Sequence, residues 1–145
     1  MSDVLRVKLL RPGARRPVRA TAGATGLDLY ACLDAPGYLD LGPDVVLVPT
    51  GIALEAPPGL DLQVRPRSGL SRAGVNVILG TIDADYRGEI FVSMHTFGSL
   101  QSHRVQDGDR IAQLVISRAA EVDIVVVAEL GMSERGSGGH GSTGR

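Results

Sequence analysis

Short runs rich in Val, Ile and Leu recur along the chain, separated by Gly and Pro that are spread as turn punctuation and not gathered into one linker. The pattern predicts strands over residues 4–10, 26–31, 38–41, 44–49, 51–55, 61–65, 74–79, 89–97, 110–117 and 123–129. A single helix of a turn or two is expected after Ser68. Many short strands at near-regular spacing predict an all-β fold, a jelly-roll-like barrel or sandwich. The pattern changes at Gly131, where the chain becomes polar and Gly-rich. Residues 1–130 therefore read as one β-barrel domain and 131–145 as a flexible C-terminal tail.

Composition narrows the classes. With 145 residues and 43% hydrophobic side chains, the chain suits one domain with a substantial core. The formal net charge of −1 argues against general nucleic-acid binding, which usually needs a basic surplus. All basic residues except Lys8 are Arg, whose planar fork matches phosphate oxygens. Cys32 stands alone, so no internal disulfide is expected, and the scattered His residues give no zinc spacing. The N-terminal stretch has no long apolar run, so neither a signal peptide nor a membrane span is expected and a cytoplasmic protein is the default.

Three stretches are too polar and Gly-rich for pure scaffold: ATGLDLYA (24–31), RPRSGLS (65–71) and GTIDADYRGE (80–89). At Arg67-Ser68-Gly69 a strand ends and a Gly lets the backbone turn, so amides, a hydroxyl and a guanidinium could converge on an anion. Read alone, the same residues could be an N-capped turn with a solvated Arg. In an extended 82–86, Asp83 and Asp85 share a face and Tyr86 takes the other. A carboxylate there could orient and deprotonate a water; a turn with solvated acids fits equally well. Gln113, within GDRIAQLV (108–115), is a polar residue in an alternating strand and could simply face solvent. The tail has no Lys in the Walker position, so it reads as a segment that folds over a ligand or as a plain mobile terminus.

The order of these stretches is more specific than any one of them. ATGLDLYA, PRSGLS, GTIDADYRGE, GDRIAQLV and RGSGGHGSTG resemble, in that order, the five motifs of the trimeric deoxyuridine-triphosphate pyrophosphatase (dUTPase) family, over about residues 22–144. The resemblance implies a jelly-roll-like β-barrel. It implies hydrolysis of dUTP to dUMP and pyrophosphate by water attack on the α-phosphorus, keeping uracil out of DNA and supplying dUMP for thymidylate synthesis. It also implies homotrimers with shared active sites, the tail of one subunit closing over a neighbour's site. Fifteen residues, 131–145, could reach about 50 Å if extended.

Residue by residue, the resemblance makes Asp83 the water activator and the acceptor for the deoxyribose 3′-hydroxyl. Tyr86 becomes the ring that leaves no room for a 2′-hydroxyl. Arg67, Ser68, Gly69 and Gln113 become phosphate contacts, Arg135 the γ-phosphate holder, and Ser142 and Thr143 the closure over the phosphates, beside His140 and Gly141. Asp28 would reach Mg2+ through water, the ion being held mainly by the phosphates. Two departures stand out. His140 occupies a tail position that is Phe in many members. Val77-Ile78-Leu79-Gly80 replaces the Asn-Ser-Pro-Gly run often found in bacterial members. Uracil recognition is therefore assigned to backbone groups of 77–81, including Val77, Gly80, Thr81 and the adjoining Ile82. Other readings remain: a dCTP deaminase of related fold, a non-catalytic nucleotide-binding protein, and a structural β-sandwich.

Overall fold

The computed structural model describes residues 3–141 and 144. In chain order the elements are β1 (Arg6–Leu9), β2 (Leu27–Tyr30), β3 (Tyr38–Leu41), β4 (Val46–Glu55), β5 (Leu60–Arg65), α1 (Ser68–Arg72), β6 (Val75–Val77), β7 (Gly80–Ile82), β8 (Glu89–Thr96), β9 (His103–Gln106) and β10 (Arg110–Arg118). They form two 4-stranded antiparallel sheets, β1-β4-β8-β6 and β2-β10-β5-β7, with a β3-β9 ribbon. The strands alternate as a half-buried pleat requires: in β8, Ile90, Val92, Met94 and Thr96 are buried while Phe91, Ser93 and His95 turn away from the core. Leu29, Val48, Ile52, Leu62, Val92 and Leu114 meet between the sheets, giving the layered all-β architecture expected.

Three differences from the sequence reading have physical causes. The strands expected at 44–49 and 51–55 are one strand, β4, because Pro49-Thr50-Gly51 makes a bulge and not a turn. The β4–β8 register shifts between Pro49 and Ala53, and Gly51 takes φ +69. The buried Thr50 hydroxyl donates to the Ile90 carbonyl at 2.5 Å and ties the irregularity down. β7 and β9 were not foreseen. The first is short and the second, His-Arg-Val-Gln, buries only Val105. The strand expected at 123–129 does not form. A strand needs a partner ladder, and in this chain Ile124, Val125 and Val126 are 85%, 73% and 95% exposed. No described helix is long and apolar enough to cross a membrane.

Candidate active site

One sheet gathers four of the five motif stretches. In register, Asp28 of β2 lies opposite Gln113 of β10, which lies opposite Arg65 at the end of β5. The chain then turns through Pro66 and Arg67 into α1, so Arg67 sits back over the same row. Its Nε lies 3.4 Å from Asp28 Oδ1, and its Nη1 donates to the Arg110 carbonyl at 3.3 Å. Arg110 reaches the other Asp28 oxygen at 3.7 Å. Gln113 Nε2 donates to the Pro66 carbonyl at 2.8 Å. Gly26 makes room for this amide: a Cβ there would collide with the Gln113 side-chain oxygen. Asp28, Arg67, Arg110 and Gln113 are thus a pre-assembled polar cluster. Arg67 is engaged in it, Gln113 is part-buried rather than solvent-facing, and Ser68 and Gly69 open the neighbouring helix with their surfaces exposed. Arg110 was not singled out from the sequence; its signal was its place in GDRIAQLV.

The second constellation lies on the other side of the sheet's edge. β7 pairs with β5 through Leu62↔Ile82, Gln63↔Thr81 and Val64↔Gly80. It is an edge strand, so alternate backbone N–H and C=O groups point away from β5. Gly80, Thr81, Ile82, Asp83 and Tyr86 line one cleft of about 270 Å³, with Val64 and Glu89 to Phe91 as its walls. A turn closed by the Tyr86 amide on the Asp83 carbonyl, at 3.0 Å, brings acid and ring to the same mouth. The Tyr86 hydroxyl donates to the Glu89 carbonyl at 2.9 Å, and its ring covers Gly88, where a Cβ would strike it. Larger clefts of about 400 and 520 Å³ follow the free edge of β1, but Arg87 is the only motif residue lining them.

The hairpin residues divide. The Val77 side chain is buried in the core. Ile78 and Leu79 are exposed, and the Ile78 amide is taken by the Ser93 carbonyl at 2.9 Å. Asn76 pairs with the His95 ring across β6 and β8, Nδ2 to Nε2 at 3.1 Å. Arg67 belongs to a separate cleft, lined also by His103, Arg104 and Arg110. Asp83 follows Ile82, beyond the Leu62 position of β5, whereas Gln113 faces Arg65 at the other end of that strand. At about 3.3 Å per residue the offset along the strand alone is roughly 10–13 Å. In the tail, Arg135 Nε donates to the Gly138 carbonyl at 2.6 Å, and the exposed His140 takes φ 52. Gly141 is exposed. Ser142 and Thr143 lie outside the described residues.

The dUTPase family model matches residues 14–144. The chain belongs to the dUTPase family. It is an enzyme that hydrolyses dUTP to dUMP and pyrophosphate. The chain is 50% identical over 131 residues to a deoxyuridine 5′-triphosphate nucleotidohydrolase of Desulfotalea psychrophila, covering 88% of this chain and 86% of that one. It is 49% identical over 146 residues to the protein of the same name from Treponema pallidum, covering 97% and 99%. Its fold is similar to a Staphylococcus bacteriophage 80alpha dUTPase bound to dUpNHpp, with a TM-score of 0.86, 28% identity, and 99% and 100% of the two chains covered.

Proposed function

We propose that hydrolysis proceeds by direct attack of water on the α-phosphorus, in active sites that combine residues of three copies of this chain. The observation that carries the reading is the separation within one chain. Asp83 and Tyr86 line one cleft, while Asp28, Arg67 and Gln113 cluster elsewhere on the sheet. One bound triphosphate meets both sets where two copies lie side by side. An apolar arm supports the assembly: Val122, Ile124, Val126 and Leu130 are 72%, 85%, 95% and 88% exposed. So large an exposed stretch calls for a partner, and a neighbour's sheet edge would satisfy its backbone as well. Three copies are what the family resemblance implies.

In this reading Asp83 orients the water and takes its proton as the new O–P bond forms and the α–β bridging bond breaks. The water oxygen stays with dUMP and the electron pair leaves with pyrophosphate. Tyr86 blocks a 2′-hydroxyl, and the free edge of β7, with the backbone of residues 77–81, reads the uracil edge. Arg67, Ser68, Gly69 and Gln113 hold phosphates. Arg135, His140, Gly141, Ser142 and Thr143 close over the ligand as a separate tail, residues 131–145, attached to the barrel of residues 1–130.

Magnesium fits the donor set in a limited way. Among the described residues no group of three His, Cys, Asp or Glu could hold a metal. The Asp28 carboxylate, 14% exposed, already faces two guanidiniums. A hard ion wanting six oxygens would therefore rest on the triphosphate and waters, with Asp28 bonding to one of those waters. When bound it neutralises the phosphate chain and eases departure of pyrophosphate.

The test is hydrolysis in 18O-water, with dUTP compared against dTTP, dCTP and UTP, with and without Mg2+. Label is expected in dUMP alone. Label in pyrophosphate means that water strikes the β-phosphorus and overturns the mechanism.

A further inference from the structure

Glu89 closes the GTIDADYRGE stretch and borders the Tyr86 cleft, and its carboxylate is bonded to Arg11 and Gly51, which the proposed chemistry does not use. Its Oε1 accepts a hydrogen bond from Arg11 Nη1 at 2.6 Å and another from the Gly51 amide at 2.8 Å. Arg11 also donates through Nη2 to the Cys32 carbonyl at 3.2 Å. The pair is largely enclosed, with side-chain exposures of 27% for Arg11 and 17% for Glu89, and Arg11 Nε is buried with no partner among the described residues. The carboxylate and Arg11 together thus tie the turn after β1, the segment following β2, the β4 bulge and the first residue of β8. The Gly51 amide is available to it because the bulge breaks the β4–β8 ladder at that point. The backbone carbonyl of this same Glu89 is the acceptor for the Tyr86 hydroxyl.

We infer that the Arg11–Glu89 ion pair is a positioning device for Tyr86, and through it a determinant of the preference for deoxyribose over ribose. The inference rests on the assignment of Tyr86 to the sugar wall. Exclusion of a hydroxyl by shape depends on where the wall stands, and the wall's polar end is fixed by one carbonyl. That carbonyl is held in turn by the carboxylate of its own residue. Charge-assisted bonds of this kind are shorter and stiffer than neutral ones, and enclosure weakens solvent screening. Tyr86 itself is 45% exposed and is not held by close packing on every side. The ion pair supplies the rigidity that packing does not.

The experiment measures kcat/KM for dUTP and for UTP with the full-length enzyme. Glu89→Ala is expected to lower the dUTP-to-UTP ratio by about tenfold or more, the scale on which small steric differences discriminate. Arg11→Met, at a residue outside the cleft, should shift the ratio the same way with dUTP turnover within a few-fold of the parent, and serves if Glu89→Ala does not fold. Glu89→Gln keeps an acceptor for the Gly51 amide but loses the charge, so its ratio should fall as in Arg11→Met and less than in Glu89→Ala. Thr50→Val disturbs the same bulge without touching the carboxylate, so it should lose stability and keep its selectivity. An equal change of ratio in Thr50→Val and Glu89→Ala reduces the pair to a structural role and overturns the inference. So does an unchanged ratio in both Glu89→Ala and Arg11→Met while Tyr86→Ala relaxes it. An unchanged ratio in Tyr86→Ala removes the sugar-wall assignment instead, and the inference with it.

Discussion

At the scale of single residues the chemistry depends on where carboxylates stand. Asp28 faces two guanidiniums and is mostly enclosed, which suits a fixed countercharge beside phosphate. Asp83 stands at the mouth of an open cleft beside Tyr86, which suits contact with a water and a sugar. If Asp83 activates the water, Asp83→Asn keeps the shape and removes the base. Turnover should fall by about a hundred- to ten-thousandfold, while calorimetry shows a non-hydrolysable dUTP analogue still binding with similar affinity. Undiminished hydrolysis would remove Asp83 from that role. Both acids were legible in the sequence through their motifs. Arg110 and the Arg11–Glu89 pair were not, because residues 11 and 89 meet only after the β4 bulge and the β8 strand have been laid side by side.

At the scale of elements the bulge in β4 is the most consequential irregularity. Gly51 has φ +69, and a Cβ there would come within 2.9 Å of both Ala14 Cβ and Cys32 Sγ. Gly51→Ala therefore meets backbone strain and crowding together and should cost about 1–3 kcal/mol, read as a lower midpoint in urea denaturation. An unchanged midpoint would mean that the strand shifts freely at this point. The sequence suggested a break between two strands here, because Pro-Thr-Gly is also a turn signature. Only pairing with β8 distinguishes a turn from a bulge, here four steps along β4 (Pro49 to Ala53) against two along β8 (Phe91 to Glu89). The same limit applies to β9, whose single buried Val105 leaves too little periodicity to read.

At the scale of the whole molecule, the exposed arm and the divided site point the same way. A chain that leaves Ile124, Val125 and Val126 at 85%, 73% and 95% exposure has apolar area available for a second copy. Val126→Asp would place a charge in that contact. Light scattering should then show smaller species than the parent, and kcat/KM for dUTP should fall by at least about tenfold, because a fully desolvated charge costs several kcal/mol. A variant that keeps both its mass in solution and its activity would detach the arm from assembly and from the site.

The linear order of residues determined the fold class and the family, and it nominated the side chains proposed to carry the chemistry. Alternation and punctuation are local properties, and the five motifs are short stretches whose meaning lies in their succession. Tertiary structure alone decided which motifs meet. Sheet order β2-β10-β5-β7 brings Asp28, Gln113 and Arg67 into one cluster and leaves Asp83 just past the end of the far edge strand. It also decided that 123–129 is no strand in a lone chain. Hydrogen-bond partners across a ladder are set by long-range pairing, and no local pattern names a strand's neighbour.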